Sequence, residues 1–507
     1  MMLLLSLLQI SIITCFLFSI AGALRTRIND CVIAVALSVL VICSIGMFQF
    51  WLALLFYPLS LLSKAITWLS VSVLFVHALW KQEFRHEIAV PILGFSLAAI
   101  VLAMWTHLST DFSQPLAVAQ TRWTHQLPID NTLPFIFAGH LRSGAIPTPM
   151  IGDWLSSDRP PLQTGLYLLF GLPIGYDELT YQISSISVEL LCLVGVWVLT
   201  RSLNVSAGYA ILAIVITFFT PLVIVHGSYV WPKLISAGLM CITAACYFTP
   251  LYDRTRGSWL LGGSAGLSSA FAMLGHGASS FVLIAMALTA LVLHRFARPN
   301  YLLTGVIAFG LMYTPWVAYQ KYYDPPGNRL TKWHLLGAVD VDSRSLGDTA
   351  KDQLKSTSIW TWVDGRLRNF DQLDVGTFQA LHKTGLAAKT LFIEDGEAAS
   401  KILADVRISQ FFSMVSGLGL IGLFTYLAPL GLISRKIRPL TTLFIMSLAV
   451  WVLLMFVPGS TVTHQGSMLP QLLLISGTIG GVSFLGFWPI VAVASVHIIT
   501  TIFQYAS

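Results

Sequence analysis

The chain has 507 residues, 56% of them hydrophobic and only 10% charged, where a soluble domain carries about 25% charged residues. That deficit excludes a soluble globular protein. The formal charge of +6 does not point to nucleic acid, because no run of five or six residues concentrates it.

Apolar runs of about 17 to 25 residues recur from end to end, each long enough to cross a hydrocarbon core of roughly 30 Å at 1.5 Å per residue. The first, Met1 to Leu24, lacks a basic leader and a small-x-small cleavage site, so it reads as a retained span. Hydropathy predicts spans near 3–24, 31–48, 50–80, 88–106, 178–200, 206–224, 233–250, 259–275, 278–294, 301–319, 410–433, 440–457, 469–485 and 487–505. The expected fold is an all-α polytopic transmembrane bundle of about fourteen spans. The 50–80 run is long enough for two short helices.

Short connections hold Arg25 and Arg27, Lys81 and Arg85, Arg201, Arg254 and Arg256, Arg295 and Arg298, and Arg435, Lys436 and Arg438. Alternation of the spans puts all of these on one face, which the positive-inside rule makes cytoplasmic, with both termini outside. Two polar segments, 107–177 and 320–409, then lie on the outer side and carry most of the acidic residues. The chain divides accordingly into accessory spans 1–87, a core 88–319 that includes the first outer loop, the second outer region 320–409 and the C-terminal spans 410–507. The six cysteines fall in or beside apolar runs with no CxxC or Cys/His spacing, so neither a disulfide framework nor a zinc site is expected.

In the first outer loop, Asp130 opens the stretch Asn131–Leu141, whose apolar positions 133, 136, 137 and 141 suit a short helix on the membrane surface. Asp130 is expected to cap that helix. Further on, Asp158-Arg159-Pro160-Pro161-Leu162 predicts a rigid turn, since prolines fix φ and push the preceding residue out of helix. Asp111, Asp153 and Asp158 are the other acids of this loop, and Asp153 and Asp158 read as residues that hold Arg159.

These residues carry a resemblance to the C-type glycosyltransferase superfamily (GT-C), in particular its aminoarabinose and protein O-mannosyl transferase branch. There an acidic residue begins the first outer-loop helix, and about thirty residues later a basic residue precedes Pro-Pro-Leu. Asp130-Asn131 and Arg159-Pro160-Pro161-Leu162 stand at those places, and Leu274-Gly275-His276-Gly277 resembles the family's Gly-rich segment closing in a basic residue. The match in order of elements runs from Trp105 to about Leu293. The chain departs from the pattern at Asn131, where the family shows a second acid, and at Tyr229-Val230-Trp231-Pro232-Lys233, where many members place another Asp. The three extra N-terminal spans have no counterpart in the simplest members.

The resemblance implies an inverting glycosyltransferase in a bacterial inner membrane, moving a sugar from a polyprenyl-phosphate donor to a lipid, glycan or protein acceptor on the outer side. Such a reaction needs a base for the acceptor hydroxyl and cations for the departing phosphate. Asp130 fits the first role, and Arg159, Lys233 and His276 the second. A divalent metal is the one cofactor to weigh, and Lys233 argues against it by removing an acidic ligand.

Each residue also has a plainer reading: Asp130 as a helix cap, Arg159 and Lys233 as interfacial anchors, and His276 as part of a tight helix break. In the second outer region, Tyr323, Arg329, Lys332 and Trp333 combine aromatic faces with directed donors and suit sugar or acceptor contacts, against a plain reading as a Pro-Gly turn with interfacial aromatics. His464, in the last outer turn, faces the same compartment. Two rival functions remain open: a lipid-linked glycan transporter, which the scarcity of acids within the spans disfavours, and an O-antigen-type polymerase or ligase.

Overall fold

The computed structural model describes residues 2–505 apart from 81–85, 109, 111–112, 125–126, 146–148, 173–176, 256, 339, 341, 374–376, 394 and 457–467. Among the described residues the fold is helical and contains no strand. Seven helices, or eight if one bent pair counts as a single span, are long and apolar enough to cross a membrane. The chain is a membrane-embedded helical protein.

Three helices open the fold: α1 (Met2–Arg25), α2 (Cys31–Trp80) and α3 (His86–His107). α2 is a hairpin of two arms. Its backbone leaves helical geometry at Phe56, two residues before Pro58, whose ring displaces the preceding turn. The Gln49 amide then reaches Ser60 and Ser63, although a straight helix would separate positions 49 and 60 by about 16 Å.

The first outer segment forms α4 (Pro115–Thr121), α5 (Leu133–Ser143) and, after the Pro-Pro pair, α6 (Leu162–Phe170). α7 (Asp177–Ser202) is the axis of the bundle, with every side chain from Leu179 to Thr200 buried. Next come α8 (Ala207–Phe218) and α9 (Pro221–Tyr229), bent by 64°. The expected single span over 206–224 is therefore broken. Pro221 has no N–H to continue the ladder, and the Thr220 hydroxyl caps the new helix by accepting from Val223 N at 3.3 Å.

Beyond the bend lie α10 (Lys233–Phe248), α11 (Pro250–Arg254), α12 (Trp259–Gly275), α13 (Ser279–Val292) and α14 (Pro299–Ala318). α7 and α10 meet backbone to backbone. A methyl group on Gly195 would stand 2.3 Å from the Gly238 carbonyl oxygen, so only glycine permits this crossing.

Among its described residues the second polar segment contains five α-helices, α15 (Arg329–Leu336), α16 (Leu346–Ser356), α17 (Ile359–Asp371), α18 (Thr377–Phe392) and α19 (Gly396–Phe412), with the described residues between them irregular. The run expected as a span over 410–433 instead breaks at Ser413 into the short α20 (Met414–Gly417) and a 3-10 helix over Gly419–Leu432. At a rise of about 2.0 Å per residue this 3-10 helix still reaches about 28 Å. The chain closes with α21 (Arg438–Leu454), α22 (Met468–Val482) and α23 (Phe487–Tyr505).

The basic connections gather at one end of the bundle. Arg254 pairs with Asp30 at 3.4 Å, Arg201 with Glu87 at 3.6 Å, and Arg295 with Asp253 at 3.0 Å. Arg25 lines the same crevice as Arg201 and Arg254, and Arg435 and Arg438 line another with Arg295. Lys81, Arg85 and Arg256 lie outside the described residues, as does Asp111 of the first outer loop. The two polar segments occupy the opposite end.

Candidate functional site

At that opposite end Asp130 sits inside a 3-10 turn, Ile129–Thr132, that leads into α5. It does not cap the helix as expected. The cap position falls on Thr132, which makes no side-chain cap bond, and the Asp130 carboxylate turns to Arg159, with Oδ2 2.6 Å from Nη2. Side-chain exposures of 17% and 10% make this a partly buried ion pair. Its neighbour Asn131 points the other way: its Oδ1 accepts from Gln120 Nε2 at 2.8 Å, and its carbonyl accepts from the Tyr181 hydroxyl at 2.8 Å. The Asn131 side chain therefore ties α4, and its backbone carbonyl α7, to the Asp130 turn.

The Arg159 guanidinium also lies over the Trp154 ring, 4.4 Å from its centroid, and Arg329 lies over the same ring at 4.8 Å. The expectation that Asp153 and Asp158 hold Arg159 is corrected here. Both acids engage Arg329 from the second polar segment, Asp153 at 2.6 Å and Asp158 at 3.6 Å. Burial pushes the Asp158 carboxyl above its usual range, against the pull of the Leu155 amide and of Arg329 and Arg159.

Four further bonds dock the second segment, with Tyr319 just before it, on the first. Ser156 bonds the Asp324 carboxylate and, at 2.6 Å, the Tyr319 hydroxyl. The Ser157 amide donates to Asp324 at 2.9 Å, and Gln320 Nε2 donates to the Ser157 carbonyl at 3.0 Å. The second segment is thus docked on Ser156 and Ser157, just before the Arg159-Pro160-Pro161 turn.

Lys233 opens α10 at the same level. Its ammonium is 3.0 Å from the Trp231 ring centroid and has no hydrogen-bond acceptor among the described residues, although the side chain is buried. The turn before it is strained: Val230 adopts φ +55°, a region a β-branched residue rarely enters, and Gln163 Nε2 holds its carbonyl at 2.8 Å.

Behind Lys233, Glu189 of α7 is fully buried and accepts from the Leu234 and Ile235 amides at 2.9 and 3.2 Å. It satisfies the first turn of α10 from a neighbouring helix. Hydropathy alone passes over this acid, because the apolar run around it outweighs one carboxylate.

His276 follows the C-terminus of α12, where Gly275 leaves room for Ser236 of α10; a Cβ there would meet the Ser236 hydroxyl at 2.4 Å. Lys233 and His276 line one narrow crevice whose other walls include Ala237, Met240, Val282 and Leu469. Burial holds His276 well below its ordinary value, helped by the charges of Lys233, His334 and Arg159. His334 of α15 belongs to the same electrostatic cluster. Burial, with Lys233 and Arg159, lowers it to about 4, and its Nε2 is buried without a hydrogen-bond partner.

Of the predicted site residues, Asp130 and Arg159 are in contact, Lys233 and His276 share a crevice, and electrostatic coupling joins the four. The proposed acceptor contacts are placed differently from one another. Arg329 and Lys332 are buried in ion pairs, the latter with Asp342 at 2.6 Å. Trp333 stacks on His334 with centroids 5.4 Å apart and tilts against Trp154 at 6.5 Å. Tyr323 is exposed and stacks on Tyr319. His464 lies outside the described residues. Among the described residues no group of three His, Cys, Asp or Glu side chains is arranged to hold a metal ion.

No family model, curated protein or solved structure matches this chain. The site's own geometry carries the functional reading.

Proposed function

We propose that this protein is a membrane glycosyltransferase of the C type, taking a sugar from a polyprenyl-phosphate donor at the outer end of the bundle. The observation that carries the reading is the 2.6 Å pair of Asp130 and Arg159, set beside the buried Lys233, whose Nζ has no hydrogen-bond acceptor among the described residues. A buried amine without an acceptor is costly, and an incoming phosphate would supply one.

In this reading Asp130 takes the proton of the acceptor hydroxyl, while Arg159, Lys233 and His276 stabilise the leaving phosphate. Lys233 and His276 stand at a narrow crevice whose walls include Ala237, Met240, Val282 and Leu469. On this reading both arms of α2, the α8–α9 pair and the shorter apolar helices also span, which gives the expected fourteen crossings of a bacterial inner membrane, where seven or eight helices are long and apolar enough by themselves. The basic end is then cytoplasmic and the site periplasmic.

A transporter reading gains nothing from the buried Glu189, whose Oε2 is already bonded by the α10 amides. Binding of undecaprenyl phosphate to the purified chain tests the assignment of Lys233. Lys233→Gln is expected to weaken binding by at least about tenfold, as loss of one charge-assisted contact implies. Unchanged affinity in that variant would remove the phosphate site.

A further inference from the structure

At the basic end, two connections distant in sequence meet. His294 and Arg295, just after α13, share an open crevice with Arg435, Arg438 and Pro439 at the start of α21. Neighbouring arginines of this end face carboxylates: Arg201 has Glu87 and Arg254 has Asp30. Here, among the described residues, only Arg295 has one, Asp253, and Arg435 and Arg438 form no ion pair. Arg438 donates its Nε to the Leu432 carbonyl at 2.8 Å, a bond that fixes the stem and leaves the terminal nitrogens for another acceptor.

The crevice continues into an apolar surface. Along α13, Ile284, Leu288 and Leu291 recur at helical spacing on one face and all are exposed, at 43%, 39% and 54%. Phe296 and Ile433 flank the crevice and are exposed at 68% and 77%. A cationic cleft at the end of an exposed apolar stripe matches a ligand with an anionic head and acyl chains. A soluble acidic partner has no use for the stripe, and a neutral lipid none for the guanidiniums.

We infer that the crevice formed by His294, Arg295, Arg435 and Arg438 binds the headgroup of an anionic phospholipid, whose chains lie along α13. Basic pockets between helices at the positive end of a membrane protein are suited to such headgroups. Guanidinium forks grip a phosphate through parallel hydrogen bonds. The inference rests on membrane embedding and not on the proposed transfer reaction, so the failure of one leaves the other standing.

The test is lipid retention by the purified full chain, read by native mass spectrometry after exposure to mixed micelles of phosphatidylglycerol and phosphatidylcholine. The wild type is expected to retain phosphatidylglycerol over phosphatidylcholine by about tenfold, and Arg435→Gln/Arg438→Gln to lose that preference. Arg201→Gln, in the acid-paired crevice, is expected to keep it. The single variant Arg435→Gln, at an exposed side chain, serves should the double variant fold poorly, with a preference at least threefold below wild type expected. A wild type without preference, a variant with undiminished preference, or displacement by equimolar inorganic phosphate would each overturn the inference, the last because it would show that the chains contribute nothing.

Discussion

Asp130 and Arg159 stand 29 residues apart in the chain and 2.6 Å apart in space, with Trp154 against the guanidinium and Tyr229 close enough to sense both charges. The contact joins the 3-10 turn before α5 to the Pro-Pro turn before α6 and so fixes a carboxylate at the edge of a cationic cluster. The pair holds its geometry through Asn131 on one side and the docked second segment on the other.

Because the two side chains form one partly buried pair, their removal is expected to be non-additive. Asp130→Asn or Arg159→Gln alone should cost about 1–3 kcal/mol, below the 3–5 of a fully buried pair, because solvent screens what remains. The double variant should cost less than the sum by at least about 0.5 kcal/mol. Reversible unfolding in mixed micelles measures the cycle, and strict additivity would mean that the contact carries no energy.

Arg329 is the bolt of the second segment. Replacing it with Gln leaves Asp158 buried without its cation, so α15 and the segment after it should detach from the Pro-Pro turn. Trypsin cleavage between 320 and 409 is expected to accelerate at least about tenfold, following the population of the open form. Cleavage at the wild-type rate would show that Ser156 and Asp324 hold the segment without Arg329.

The pH dependence follows from His334. Its folded value, about 4, lies below its ordinary 6.5, so its contribution to stability is complete above about 6.5 and is lost as pH falls toward about 4. A phosphate in the cluster reverses the preference by favouring the protonated ring. Undecaprenyl phosphate binding should therefore take up a proton and tighten from pH 7.5 to 5.5, by up to about tenfold per pH unit. His334→Phe should flatten that slope. A slope that survives the substitution assigns the proton elsewhere.

Much of this arrangement was legible in sequence because membrane burial writes itself locally: a run such as Leu179–Leu199 is apolar enough to be read by composition alone. The spacing of Asp130 and Arg159-Pro160-Pro161 likewise marked both members of the ion pair. Pairings between segments were not legible. Nothing local distinguishes Arg159 from Arg329 as the partner of Asp153 and Asp158, since the choice depends on how two loops far apart in the chain meet. Glu189 was hidden for a related reason, because its partners are the α10 amides rather than any neighbour in α7. The bend at Thr220 did leave a signal, the Thr-Pro pair, which hydropathy averages away.

The most direct test of the central claim is transfer itself, in proteoliposomes holding a polyprenyl-phosphate sugar labelled in the sugar, with cell-envelope extract as acceptor. The wild type should release label from the donor lipid, and Asp130→Asn should do so at least about a hundredfold more slowly, the scale of a lost general base, while still binding the donor. Equal rates in the two proteins would contradict the assignment of Asp130 as the base and, with it, the account of this site.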